Sequence, residues 1–442
     1  MMIHSRPRDV LLSVSRAFAA LLVLHLLVLH CANACQAQEA AVAEEPSEPQ
    51  VPLMLRTYLE IREAKGPDGD MVPIEENKKL RPLVQTILTS GKFTNPDDQK
   101  NFDEFYRWRI AEMTWAENLP KLTGMRQRFK KFDLNASGRA ADPTVHDKLN
   151  TMLLNVMQNI AKNDGYHPAV RCNCVLLINL LDQKEEQAGG AGVVPLPEAL
   201  PVLVRLSKDP KMRDCVRIPA LLGVARHAEF EIPAAARKGD DGVVPLLIEI
   251  VGAKQPIGDG TVGGHGWLRR RGAETLGTVA VKWPEANTPQ VAGALLSLVG
   301  DDEASLVSRS EAAKSVGAIE RGALNGNAGT IAQSIGGVAV AVAKRGPVSE
   351  TAKLGTDYLT YLYLGLLTGL KGTEANRGLT PAAGDAETKE FVRELTKKVE
   401  EMLSVTTDPK MPEPTRIERL DTLGDRLAEW LKKAGLKLAS GG

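Results

Sequence analysis

The chain has 442 residues, enough for two or three compact domains or one elongated repeat array. Lysine plus arginine equals aspartate plus glutamate at 55 each, so the overall charge gives no bias toward nucleic acid or acidic lipid. Aromatics make up only 4% of the residues while alanine, leucine, valine and glycine abound, a composition that suits closely packed helices and argues against a β-sandwich.

At the N-terminus, Arg6, Arg8 and Arg16 lead into the apolar segment AFAALLVLHLLVLH (17–30), and Ala32-Asn33-Ala34 forms an A-x-A cleavage signature. Residues 1–34 therefore read as a secretory signal peptide. Residues 35–50, polar, acidic and proline-bearing, read as a disordered linker. An uncleaved anchor and a lipid on Cys35 are the alternatives, and either would be the protein's only hold on a membrane. The expected location is periplasmic or extracellular, where disulfides are permitted. Cys172, Cys174 and Cys215 would remain in the mature chain, with no spacing suited to zinc or haem.

Residues 51–145 read as an N-terminal helical cap, with helices over 51–65, 75–91 and 97–119. Asn95-Pro96-Asp97-Asp98 is a helix-start signal. The helix behind it concentrates Phe102, Phe105, Tyr106, Trp108 and Trp115, either as the cap's core or as a binding stripe with Arg107 and Arg109. RQRFKKF (126–132) is a basic patch with two phenylalanines, but no nucleic-acid module surrounds it and no nucleic-acid partner is expected.

Four segments then align without gaps: MQNIAKND (157–164), LVRLSKDP (203–210), LIEIVGAK (247–254) and LLSLVGDD (295–302). Each is apolar at its first and fourth positions, a helical spacing. Each is followed by a second block with an arginine in common register, Arg171, Arg217, Arg269 and Arg309, and apolar or small residues four and seven positions on. The anchor-to-arginine distance is 14 residues in three copies (157 to 171, 203 to 217, 295 to 309) and 22 in the other (247 to 269). The eight extra residues fall in KQPIGDGTVGGHG, so the G-x-G-x-x-G at 258–263 reads as an insertion in an inter-helix turn. A dinucleotide fingerprint would need a strand ending at its first glycine, whereas Val243, Leu247, Ile250 and Val251 mark one side of a helix. No cofactor is expected. Glycine amides at a helix start with Arg269, Arg270 and Arg271 behind them could still contact an anion or a partner, or the arginines could be a solvated face.

These helix pairs resemble HEAT repeats, with anchor steps of 46, 44 and 48 residues (157, 203, 247, 295) near that family's period of roughly 40–47. The resemblance implies an all-α fold: a right-handed α-solenoid of HEAT-like, armadillo-like pairs over 146–370, with helical N- and C-terminal extensions. It also implies a structural aspartate–arginine ladder between neighbours: Asn163, Asp209 and Asp301 each precede their arginine (Arg171, Arg217, Arg309) by eight residues, while Ala253 interrupts the pattern. Stacked second helices would bring Cys172 and Cys215 together, giving a Cys172–Cys215 disulfide as an expectation, with Cys174 facing the core.

Residues 321–347 and the apolar 349–370 read as a degenerate fifth pair. A linker (371–386) and two amphipathic helices within 387–442 follow, the last burying Ile417, Leu420, Leu427 and Leu431. His146, His167, His227 and His265 lack metal-ligand spacing, and no nucleophile elbow is present. The expectation is an exported, non-enzymatic scaffold that binds another protein or a cell-envelope polymer. A helical toroid enzyme such as a lyase, or a membrane-tethered scaffold, is the alternative.

Overall fold

The computed structural model describes residues 75–186, 192–239, 241–324, 327–344, 356–373 and 376–440. The signal peptide, the linker at 35–50 and the helix expected at 51–65 lie outside the described residues. The architecture is all-α. Helices α1 (Glu75–Ser90) and α2 (Pro96–Glu112) form the start, with Asn95 and Asp98 closing a capping box at the head of α2. The helix expected to reach 119 stops at Glu112: the Thr114 hydroxyl turns back to the Ala111 carbonyl at 2.7 Å, and a short 3-10 segment (Ala116–Lys121) containing Pro120 follows. Next come α3 (Leu122–Arg128), a π-helical turn (Phe129–Leu134) and α4 (Asn135–Gly138).

Four helix pairs succeed one another: α5 (Thr144–Lys162) with α6 (Pro168–Ile178), α7 (Ala199–Lys208) with α8 (Asp214–Phe230), then, after the short α9 (Ala234–Arg237), α10 (Val243–Gly252) with α11 (Val262–Lys282), and α12 (Pro289–Val299) with α13 (Leu306–Val316). Their apolar stripes face one another because residues three and four apart share a helix side. Leu203, Leu247, Leu295, Val175, Leu221, Leu276 and Val316 are completely sealed from solvent. The second members pack in series, α6 on α8, α8 on α11, α11 on α13, and α13 on α15 (Thr356–Lys371). Small residues permit this closeness: a Cβ on Gly369 would lie 2.3 Å from the Ala313 carbonyl oxygen.

Helix α14 (Ala328–Ala343) precedes α15, and α16 (Ala386–Thr407) and α17 (Glu413–Ser440) end the chain. The last two exchange places relative to the earlier pairs: α16 lies chiefly on α15, whereas α17 lies on α14. Leu420, Leu427 and Leu431 are buried as expected, Ile417 is half-buried, and Leu423 joins them. Among the described residues the all-α expectation has one exception, a two-stranded antiparallel ladder, β1 (Asp182–Lys184) with β2 (Val194–Pro195), kept short by a proline that cannot donate to it.

Candidate interaction face and the buried arginines

The last carbonyls of a helix have no partner within it. In each of the four pairs, the register arginine supplies one. The Nε of Arg171 donates to Ala161 O (2.9 Å), of Arg217 to Ser207 O (3.0 Å), of Arg269 to Val251 O (3.1 Å) and of Arg309 to Val299 O (2.9 Å). Every acceptor lies in the last turn of the first helix of the pair. Three of the same guanidiniums also reach the inter-helix turn of the following pair. Arg171 Nη2 meets Met212 Sδ at 3.7 Å, Arg217 Nη1 donates to Ile257 O at 3.1 Å, and Arg269 Nη2 lies 2.7 Å from Asp301 Oδ2. These side chains are 2%, 1% and 4% exposed, so they are interior fasteners rather than solvated charges.

Of the ladder expected between neighbours, the rung at Asp301 is present and the one at Asp209 is not. Asp209 accepts from the backbone of Lys211, and Asn163 accepts from Gly165 N; both shape their own turns. Asp301 pairs with Arg269 of the preceding pair, while Arg309 takes Asp302 at 2.9 Å. The copy interrupted by Ala253 is thus the one that gains an interhelical carboxylate, borrowed from its neighbour.

The glycine-rich insertion is only partly a turn. Its second half adds to α11, with Thr261 as N-cap accepting from Gly264 N at 2.9 Å, and α10 upstream is a helix, as a nucleotide fold would not have it. A carboxylate of the chain itself lies at this helix start. The Asp214 carboxylate accepts from Thr261 N (2.8 Å) and Oγ1 (2.7 Å) and so meets the positive end of α11. Gly258, at φ +60°, lets the loop descend on the preceding turn, where a Cβ would stand 1.9 Å from Pro210 O. Gly258→Ala is therefore expected to cost about 2 kcal/mol, combining left-handed strain with a backbone clash. Urea unfolding would read it, and an unchanged midpoint would refute the docking.

The three consecutive arginines diverge. Arg269 is buried as above, Arg271 pairs with Glu274 at 2.7 Å, and Arg270 donates from Nη2 to Tyr361 Oη at 3.0 Å while lying over that ring at 5.4 Å. They form no common anion cluster. The histidines are equally dispersed. His146 accepts or donates at 2.9 Å to Ser137 Oγ and at 2.7 Å to Asp182 O, yet Ser137 is 0% and His146 2% exposed, so no substrate reaches the pair. His167 caps α6 through Ala169 N. His265, held below its usual pKa by burial and then by Arg269 and Arg217, lies at the start of α11. No group of histidine, cysteine or carboxylate ligands among the described residues could hold a metal ion. The expected disulfide is not formed: Cys172 lies on α6 and Cys215 on α8 with no covalent bond between them, and buried Cys174 has its thiol pKa pushed up by burial.

Around Tyr361 the second-helix layer carries an open patch. Tyr361 and Leu364 on α15 are 40% and 49% exposed. Tyr361 Oη donates to Glu311 Oε2 of α13 at 2.8 Å, and Lys314 Nζ lies 2.7 Å from Glu311 Oε1. Arginine and tyrosine locked together over three helices form a pre-ordered amphipathic surface, the kind of side chains that dominate protein interfaces. No protein-family model matches the chain, and neither a curated protein nor a solved structure is significantly similar to it. Among the described residues no helix is long and apolar enough to cross a membrane.

Two features escape the sequence pattern. One is a fifth carbonyl-capping arginine: Arg416 Nε donates to Val405 O at 3.2 Å, and its Nη2 donates to Asp408 O and Met411 O at 2.8 Å. The signal was present, since MLSVTTDP (402–409) follows the same template, with Asp408 eight residues before Arg416. The other is the charge cluster at β1. Lys130 Nζ lies 2.5 Å from both Asp182 and Glu185, and Arg226 Nη2 lies 2.6 Å from Asp182. It ties the π-helical turn to α8.

Proposed function

We propose that the chain is an exported, non-enzymatic scaffold, a right-handed α-solenoid of HEAT-like pairs, that binds another protein through the free face of its second helices. The observation that carries this reading is the Arg270–Tyr361–Glu311 cluster beside exposed Leu364, an interaction-ready patch spanning α11, α13 and α15. The serial packing of second helices and the recurrent arginine caps support the repeat assignment. The dispersal of His146, His167, His227 and His265 over separate elements favours a binder over a lyase-like enzyme. The A-x-A signature at 32–34 supports export.

A photo-crosslinking amino acid at position 364, in the full chain expressed in its own host, tests the surface. A discrete adduct is expected there and not from exposed Glu249 on α10, and Tyr361→Ala should weaken its formation about tenfold or more. Identical adducts from both positions, or none at 364, would refute the assignment.

A further inference from the structure

We propose that the cavity between α1, α2 and the π-helical turn binds a small amphiphilic anion, a carboxylate or phosphate carried on an aromatic or short aliphatic body. The cavity measures 290 Å³ and lies far along the chain from the second-helix patch, so the inference does not depend on that reading. At about 30 Å³ for each water-sized group, it accommodates about ten non-hydrogen atoms.

Its walls divide by chemistry. Val84, Leu88 and Phe105 make an apolar side, and Phe132, 53% exposed, stands at the mouth. A large aromatic left in water beside a cavity gains by covering an apolar guest. The wide π-helical turn carries Phe129 and Asp133 inward while Phe132 stays exposed at the rim.

The polar side is cationic. Arg81 and Arg128 line the cavity and form no ion pair with any described residue. Arg109 is already committed: Nη1 lies 2.6 Å from Asp133 Oδ2, and its guanidinium sits 4.4 Å over the Phe129 ring. Tyr106 Oη donates to the other Asp133 oxygen at 3.1 Å, so this carboxylate is satisfied and turned toward the floor. Half-buried Glu112 feels all three guanidiniums, but burial outweighs them and keeps its carboxyl pKa raised. Three arginines against Asp133 and Glu112 leave one net positive charge, and the two uncommitted forks match a carboxylate or phosphate edge.

Calorimetric titration of the full chain tests the site, with octanoate and phenyl phosphate as probes and inorganic phosphate and octanol as controls. One probe molecule per chain is expected for at least one of the two amphiphiles, bound at least tenfold more tightly than either control. Arg81 and Arg128 are both exposed, so R81A/R128A should retain the parent's helical circular dichroism while losing at least tenfold in affinity. Phe132→Asp should lose a similar factor through the apolar wall. Tight binding of inorganic phosphate alone, absence of binding by both amphiphiles, or affinity unaltered by these substitutions would overturn the proposal.

Discussion

Replacing Arg217 by methionine is expected to lower the unfolding free energy by about 3 kcal/mol. Methionine fills much of the same volume, so the loss isolates the guanidinium. Two acceptors are then stranded: Ser207 O at the end of α7 and Ile257 O in the following turn, both served by a side chain that is 1% exposed. Asp214, 7% exposed, also loses the cation beside it. Burial already pulls the Arg217 pKa downward, with Asp214, Glu249 and Asp209 opposing that pull. Arg217→Lys should recover little, because an ammonium cannot extend a fork to two carbonyls on different helix pairs. Arg309→Met should cost less, since its ion-pair partner Asp302 is almost wholly in water. Urea unfolding of the three variants measures the order. Equal losses at 217 and 309, or full rescue by lysine, would contradict the fastening role.

Acidification from pH 6.5 to 4 is expected to remove about 3 kcal/mol of stability through His227 alone. Burial, with Arg226 beside it, pushes this imidazole down to about 4 from 6.5. Between those values the unfolded chain binds a proton that the folded chain refuses, so unfolding gains as pH falls. Above pH 6.5 both states are neutral and the contribution is fully present. His146 and His265 are lowered by burial in the same direction. Glu112, Asp133 and Glu185, raised by burial, act in the opposite sense as they take up protons. Comparing the parent with His227→Gln at pH 7 and pH 4.5 separates these contributions. The variant should show the smaller drop, and equal drops would show that His227 is protonated without penalty.

The helix pairs were legible because burial on one helix side imposes a short-range period, and the arginines because their distance from each anchor repeats. What each guanidinium reaches was not legible, since its second partner belongs to the next pair and differs in kind each time: Met212 Sδ, Ile257 O and Asp301 Oδ2. The extension of α11 into the glycines followed from Thr261, an N-cap signal masked by the residues' poor helix propensity. The β1 cluster joins Lys130, Asp182 and Arg226 across the chain, so no local window contains it. The N-terminal cavity likewise draws its walls from four separate elements, α1, α2, α3 and the π-helical turn. The aromatic stripe in α2 proved to be core for Phe102, Phe105, Tyr106 and Trp108, while Arg109 and Phe105 also border the cavity.

The register arginines that reach beyond their own pair each reach the following one: Arg171 to Met212, Arg217 to Ile257, Arg269 to Asp301. Chain shortening is therefore directional. Cutting before a pair removes that pair's supplier and exposes its turn to water, which can replace the lost donor. Cutting after a pair strips a guanidinium of both its outward acceptor and the turn that covered it, and a charged group left half desolvated costs more than a backbone carbonyl does. Fragments built from the C-terminal end should consequently be sounder than fragments of equal length built from the N-terminal end.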